Sequence, residues 1–174
     1  KNIQSAKELA KTMVMIGNGL NRDTRAILTD MTQPLGLAVG NSLEVKEAIE
    51  TLKGNGPKDF VELCLGAGAI MLEQAKICSN ENEAREMLIN KINNGEAFEK
   101  LCEFIKAQGG DESYIRNPEK FPISKNVIEV YSNNEGYVEE INCLEIGESA
   151  MRLGAGRATM DDVIDMSSGI VLNK

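Results

Sequence analysis

From Ile3 to Gly110, apolar residues return every three or four positions in five successive stretches, and glycine closes four of them. That rhythm constrains the fold more than any other feature. A 3.6-residue period builds helices that bury one face, and a glycine past the last turn supplies the residue that ends them. Ile3, Ala6, Leu9, Ala10, Met13 and Val14 share the first face, and Gly17-Asn18-Gly19 ends that helix. Asn41 or Ser42 can cap the second, where Val45, Ala48, Ile49 and Leu52 face inward before Gly54. Pro57 opens the third at a position where its missing N–H costs nothing. From Phe60 to Leu72 this helix is apolar nearly all round and is expected to be buried. Gly66 and Gly68 inside it cost roughly 1 kcal/mol each relative to Ala, so a closely packed neighbouring backbone is expected there. Ser79 is the expected cap of the fourth helix, with Ala84, Met87, Leu88 and Ile92 inward and Gly95 beyond. Phe98, Leu101, Cys102 and Ile105 form the fifth stripe, closed by Gly109-Gly110.

Between the first two helices, Arg25 to Met31 reads as a short buried strand. After Asp111 the texture changes. Asn117-Pro118 and Phe121-Pro122 mark a connector. Val127 to Tyr131 and Gly136 to Ile141 read as strands around a polar turn at Asn133-Asn134. Leu144 to Leu153 reads as a short helix ended by Gly154, and Gly169 to Leu172 begins one more strand. A boundary near residues 116–124 follows, separating a mostly helical part from an α+β part that looks unfinished.

The chain of 174 residues is long enough for one ordinary domain with a core, and 42% of it is hydrophobic. Asp and Glu outnumber Lys and Arg, 27 to 19, for a net charge of −8. That balance argues against non-specific nucleic-acid binding, which needs a basic footprint. No apolar run approaches the ~18 residues of a membrane span. Lys1-Asn2-Ile3-Gln4 leads straight into a helical pattern, so no signal peptide is expected and the chain reads as a piece of something longer. Cys64, Cys78, Cys102 and Cys143 contain no C-x-x-C pair, which argues against a zinc ribbon; three of them sit on apolar helix faces or at a helix end, where buried free thiols are expected, and a cytoplasmic protein fits best.

There is no histidine. Ser-His-Asp and Cys-His nucleophiles and a His metal cluster are therefore excluded within these residues. The glycine-rich spots at 16–19, 65–69 and 153–157 close helices or lie inside one, whereas a phosphate cradle must follow a strand and open a helix. Asp161, Asp162 and Asp165 lack EF-hand spacing and read as a solvated acidic loop. "TMDDVIDMSSGIV" carries no Lys, which argues against a lipoyl or biotin carrier. The loop Leu35-Gly36-Leu37-Ala38 is different. Its carbonyls precede the helical pattern, and Glu47 stands one turn into the helix that follows. Carbonyls plus one carboxylate make an oxygen-only site for a hard cation; the alternative is a plain strand–loop–helix joint whose Glu faces water.

Four blocks carry a resemblance: "LTDMTQPLG" at 28–36, "GNSLEVKEAIETLKGNGP" at 40–57, "AQGGD" at 107–111 and "LGAGRAT" at 153–159. Together with "DVIDMSSGIVL" they resemble the pyrimidine-nucleoside phosphorylases, the family that includes thymidine phosphorylase, in order along the whole chain. The resemblance implies an α/β fold class. Residues 1–118 would be the helix-rich part of the α/β phosphorylase domain, and 122–174 an incomplete C-terminal α+β domain. Members are homodimeric pentosyltransferases that use phosphate to cleave a pyrimidine nucleoside to free base and (deoxy)ribose 1-phosphate, with no organic cofactor.

The family's phosphate-binding Lys-His-Ser-Thr-Gly-Gly segment, and the Arg, Ser and Lys that hold the base, precede the part matched here. No catalytic or substrate-binding residue is carried over. One feature falls inside: family members hold a potassium ion, and the matching positions are Leu35 and Ala38 through their carbonyls and Glu47 through its carboxylate. The family's usual histidines are absent near Met166 and at Asn173, and Ser42 replaces a common Ala. A non-catalytic dimerisation or regulatory domain, or a related phosphoribosyltransferase, are the competing readings.

Overall fold

The structure is a computed structural model that describes residues 2–173. Seven α-helices, α1 Ile3–Gly19, α2 Asn41–Leu52, α3 Lys58–Gln74, α4 Glu81–Asn93, α5 Glu96–Ala107, α6 Ser113–Arg116 and α7 Cys143–Ala150, alternate with loops among the described residues. Two short strands, β1 Ala38–Val39 and β2 Ile170–Val171, pair antiparallel with Ala38 opposite Val171 and Val39 opposite Ile170. The chain divides into two compact units. One comprises the chain up to Asp30 together with Glu62–Asn90, and the other Met31–Val61 with the chain from Lys91 onward.

In the first unit, α1 is capped by Asn2, whose side chain accepts the Ser5 N–H at 2.9 Å. Its half-buried positions are Ala6, Ala10, Val14 and Gly17, while Leu9, Met13 and Ile16 are exposed. The face that packs is thus the small-residue stripe, and the large apolar residues lie beside it. Arg25 to Asp30 is not a strand, and Ile27 and Leu28 are each 47% exposed, which corrects the expected buried strand. A strand buried on both faces needs ladders on its edges and cover above and below. This segment is instead tied by side chains, Arg25 to Glu73 at 2.7 Å and Gln74 Nε2 to the Asp23 carbonyl at 2.6 Å.

A small core of Ala69, Cys78 and Ala84, with Leu72 and Met87 against it, joins α3 to α4 within this unit. Only Leu65 and Ala69 of α3 are buried and Met71 is 68% exposed, so α3 is not the fully buried helix its composition implies. A Cβ on Gly68 would lie 2.8 Å from Leu88 Cδ1: a side chain, not a neighbouring backbone, occupies the space the glycine leaves. The α4 cap is Asn80 rather than Ser79. Its Oδ1 accepts the Glu83 N–H at 3.0 Å, while Glu83 reaches back to the Ser79 N–H at 2.9 Å.

The second unit is built around Ile49 of α2, Cys102 of α5 and Ile115 of α6, with Phe98, Leu101, Ile105 and Phe121 packed on them. The Tyr114 and Phe121 rings meet edge to face, 5.5 Å between centroids. Arg116 closes this end with a fork of two hydrogen bonds to Glu99, at 2.8 and 2.7 Å, and the pairing holds the Glu99 carboxyl below its ordinary pKa. All four cysteines are free; Cys78 and Cys102 are buried as expected, but Cys64 is exposed.

In the same unit α7 runs into a π-helical turn, Met151–Ala155, which ends where Gly154 takes φ 105°. The expected strands at 127–131 and 136–141 do not form, and Val130 is 91% exposed. Their apolar residues come in adjacent pairs, Val127-Ile128, Val130-Tyr131 and Tyr137-Val138. Neighbouring residues of a strand point to opposite faces, so such pairs give no single apolar face to bury. The expected strand near the end of the chain does form, as β2.

Candidate cation site

The site sits where β1 turns into α2, wholly inside the second unit. Gly40 makes the turn. Its φ of 142° suits glycine, and a Cβ there would lie 2.5 Å from the Ser168 carbonyl oxygen. Helix α2 therefore starts directly after Gly40, and neither Asn41 nor Ser42 acts as its side-chain cap. Glu44 Oε1 accepts the Gly40 N–H at 3.0 Å, and the Asn41 amide donates to the Ala155 carbonyl at 2.8 Å.

From the second turn of α2, the half-buried Glu47 reaches back over the loop. Its Oε1 accepts the N–H groups of Leu37 at 2.8 Å and Ala38 at 3.1 Å. Its Oε2 lies against Gly36, where a Cβ would come within 2.2 Å and where φ is 70°. The preceding N–H, that of Gly36, donates to Asp59 Oδ2 at 3.2 Å. Three successive backbone N–H groups thus end on two carboxylates, and Glu47 is folded onto the chain rather than turned to water. Ionised acceptors make these bonds stronger than neutral ones.

Leu35, Ala38 and Glu47, the three positions singled out from sequence, line one cleft of about 520 Å³ with Pro34, Val39, Glu44, Val45, Ala48 and Phe60. Among these lining residues are two carboxylates, Glu44 and Glu47, and no Lys or Arg. The local field therefore favours a cation. Main-chain oxygens and a carboxylate are hard donors of the kind alkali and alkaline-earth ions take. The Gly36 cradle keeps the Glu47 carboxylate in place beside them. The residues present fit a potassium ion.

Asp59 is the part of this arrangement that sequence reading missed. An acidic residue two positions after Pro57 reads only as a complement to the start of α3. The acidic loop near the end of the chain behaves as expected. Asp162 accepts the N–H groups of Ala158 and Thr159, and Asp165 those of Ser167 and the Ser168 hydroxyl, so each organises its own turn. Among the described residues no group of three or more His, Cys, Asp or Glu side chains converges on a metal position. No helix among them is long and apolar enough to cross a membrane.

Comparison with known proteins places the chain. Residues 2–98 match the family described as glycosyl transferase family, a/b domain, and residues 137–174 match the pyrimidine nucleoside phosphorylase C-terminal domain. The chain is 51% identical over all 174 residues to proteins named pyrimidine-nucleoside phosphorylase from Staphylococcus epidermidis, Geobacillus stearothermophilus and Staphylococcus aureus. It is covered in full by each and spans 40% of the length of these relatives. The chain belongs to the glycosyl transferase family that shares this a/b domain.

Proposed function

We propose that this chain is part of a pyrimidine-nucleoside phosphorylase, which uses phosphate to cleave thymidine, uridine or deoxyuridine to the free base and (deoxy)ribose 1-phosphate. The observation that carries this reading is identity of 51% sustained over all 174 residues with proteins of that name. In it, residues 1–118 belong to the α/β phosphorylase domain and 122–174 to an incomplete C-terminal α+β domain. The enzyme is a cytoplasmic homodimer without an organic cofactor. By the resemblance, the groups that touch phosphate and base are not among these 174 residues, and the chain alone is expected to be inactive.

The contribution of this chain is to hold a potassium ion through the carbonyls of Leu35 and Ala38 and the carboxylate of Glu47. When bound, the ion supplies a fixed positive charge that braces the phosphate-binding loop. The residues themselves do the orienting. Glu47 fixes the Leu37 and Ala38 peptides through its two hydrogen bonds, and Gly36 leaves room for its second oxygen. Displacement at an anomeric carbon, with oxocarbenium character, depends on such positioning of phosphate and sugar before reaction.

Purified 174-residue chain and complete protein, assayed side by side with uridine, thymidine and phosphate, test the division of labour. Turnover by the complete protein alone is expected; comparable turnover by the shorter chain would overturn it. In the complete protein, Glu47→Gln is expected to weaken potassium activation and phosphate affinity together by about tenfold, the scale of one charge-assisted hydrogen bond. If both stay unchanged, Glu47 serves only the loop.

A further inference from the structure

We propose that Asp59 is a positioning residue for the cation site: by holding the Gly36 N–H it aims the Leu35 carbonyl at the ion. This rests on the potassium reading above. Asp59 stands in the first turn of α3, and its Oδ2 accepts the Gly36 N–H at 3.2 Å. Its other oxygen accepts the Phe60 N–H at 2.9 Å, which steadies the carboxylate.

The Gly36 N–H and the Leu35 carbonyl belong to one peptide unit. Among the described residues there is no cis peptide, and in a planar trans unit these two groups point in opposite directions. The Leu35 oxygen is therefore turned away from Asp59. The same rule can be followed two units on. The Ala38 N–H faces Glu47. The Leu37 carbonyl shares that unit, so it points the other way, and there it accepts the Leu172 N–H at 2.8 Å. Leu35 lines the cleft and Asp59 does not, as expected of groups on opposite sides of one peptide.

Gly36 is why an anchor is needed. At φ 70° it occupies a conformation that glycine exchanges readily with others, and rotation there would swing the Leu35 carbonyl off the ion. Glu47 anchors the next two peptide units, and Asp59 anchors this one. The cation site is thus framed by two carboxylates with different duties: Glu47 touches the ion, and Asp59 acts through the backbone.

The test uses the complete protein. KCl is titrated at constant ionic strength, balanced with choline chloride, while the thermal unfolding midpoint is followed; phosphate KM and kcat are measured in parallel. Asp59→Ala is expected to raise the KCl concentration for half of the full thermal shift about tenfold, and to raise phosphate KM with kcat at saturation near that of the parent. Asp59→Asn, whose single amide oxygen can accept the Gly36 N–H but leaves the Phe60 N–H without its acceptor, is expected to fall between the parent and Asp59→Ala in both. Should Asp59→Ala not fold, Asp59→Ser, one bond too short to reach Gly36, takes its place. An unchanged half-shift concentration in the Ala or Ser variant, with Glu47→Gln displaced, overturns the role of Asp59 and leaves the potassium reading standing. A loss in Asp59→Asn as large as in Asp59→Ala also overturns it, since the hydrogen bond would then not be what matters. A parent protein without any potassium-dependent shift overturns both.

Discussion

Two segments of the second unit were equally prominent in the sequence and came out differently. The loop from Leu35 into α2 is held at every step: Gly36 by Asp59, Leu37 and Ala38 by Glu47, Gly40 by Glu44. The segment from 126 to 141 is richer in β-branched and aromatic residues, yet it forms no ladder. Its side-chain bonds include local ones, Ser132 Oγ with the Asn134 backbone and Tyr131 with Glu129. The difference is one of partners. Carboxylates that reach backbone N–H groups nine or ten residues away organise a loop from within its own sequence. Strand propensity organises nothing until another edge supplies the ladder, and a two-stranded hairpin alone is marginal in water.

The largest effect that can break this contrast is expected beneath the loop. Ile49 is fully buried in α2, against Cys102 and Ile115. Ile49→Ala should lower stability by about 3 kcal/mol, the usual cost of removing a large buried aliphatic side chain. The three tyrosines, Tyr114, Tyr131 and Tyr137, all lie in the second unit and there is no tryptophan, so near-ultraviolet dichroism during urea unfolding reports that unit. A loss under 1 kcal/mol would mean that α2 is not anchored by this core, and the rigidity ascribed to the loop would lose its base.

Next in size is Gly36→Ala. A side chain at φ 70° costs roughly 1–2 kcal/mol, and the added methyl would displace Glu47 Oε2 from 2.2 Å away. The half-buried Glu47 carboxylate can take water in place of its lost bonds, so the backbone strain dominates and the expected total stays near the upper end of that range, about 2 kcal/mol. The same urea experiment reads it. Amide exchange at Leu37 and Ala38 should quicken in parallel; unchanged exchange there would show that Glu47 does not hold the loop.

The helices were legible because their spacing and their closing glycines are local facts. What spacing could not tell is whether a face is covered. In α1 only half of the expected apolar face packs: Ala6, Ala10 and Val14 are half-buried, and Ile3, Leu9 and Met13 are exposed. Caps slipped by one residue for a local reason: Asn80 sits one position nearer to α4 than Ser79. At the start of α2 a glycine with a carboxylate four residues on does the work expected of Asn41 or Ser42. In the candidate site, the approach of Glu47 to Ala38 spans nine residues and could be read from a loop followed by a helix. The bond from Gly36 to Asp59 spans 23, and depends on where the start of α3 lies. No periodicity encodes that.

The smallest expected effect is the sharpest probe of the comparison. Val130 is 91% exposed, in a stretch that sequence alone reads as strand. Val130→Thr keeps the β-branched shape and removes only apolar surface, so it isolates burial from propensity. With no burial to lose, it should change stability by less than about 0.5 kcal/mol. At Ile49, Thr would replace an ethyl group by a hydroxyl, leaving a polar group in a fully buried position, and would cost several times more. The ratio of the two is therefore a direct measure of how unequal these segments are. If Val130→Thr cost as much as a core substitution, the 127–131 segment would be packed in solution, and the lack of an apolar face in its residue pattern would not be the reason it stands outside the sheet.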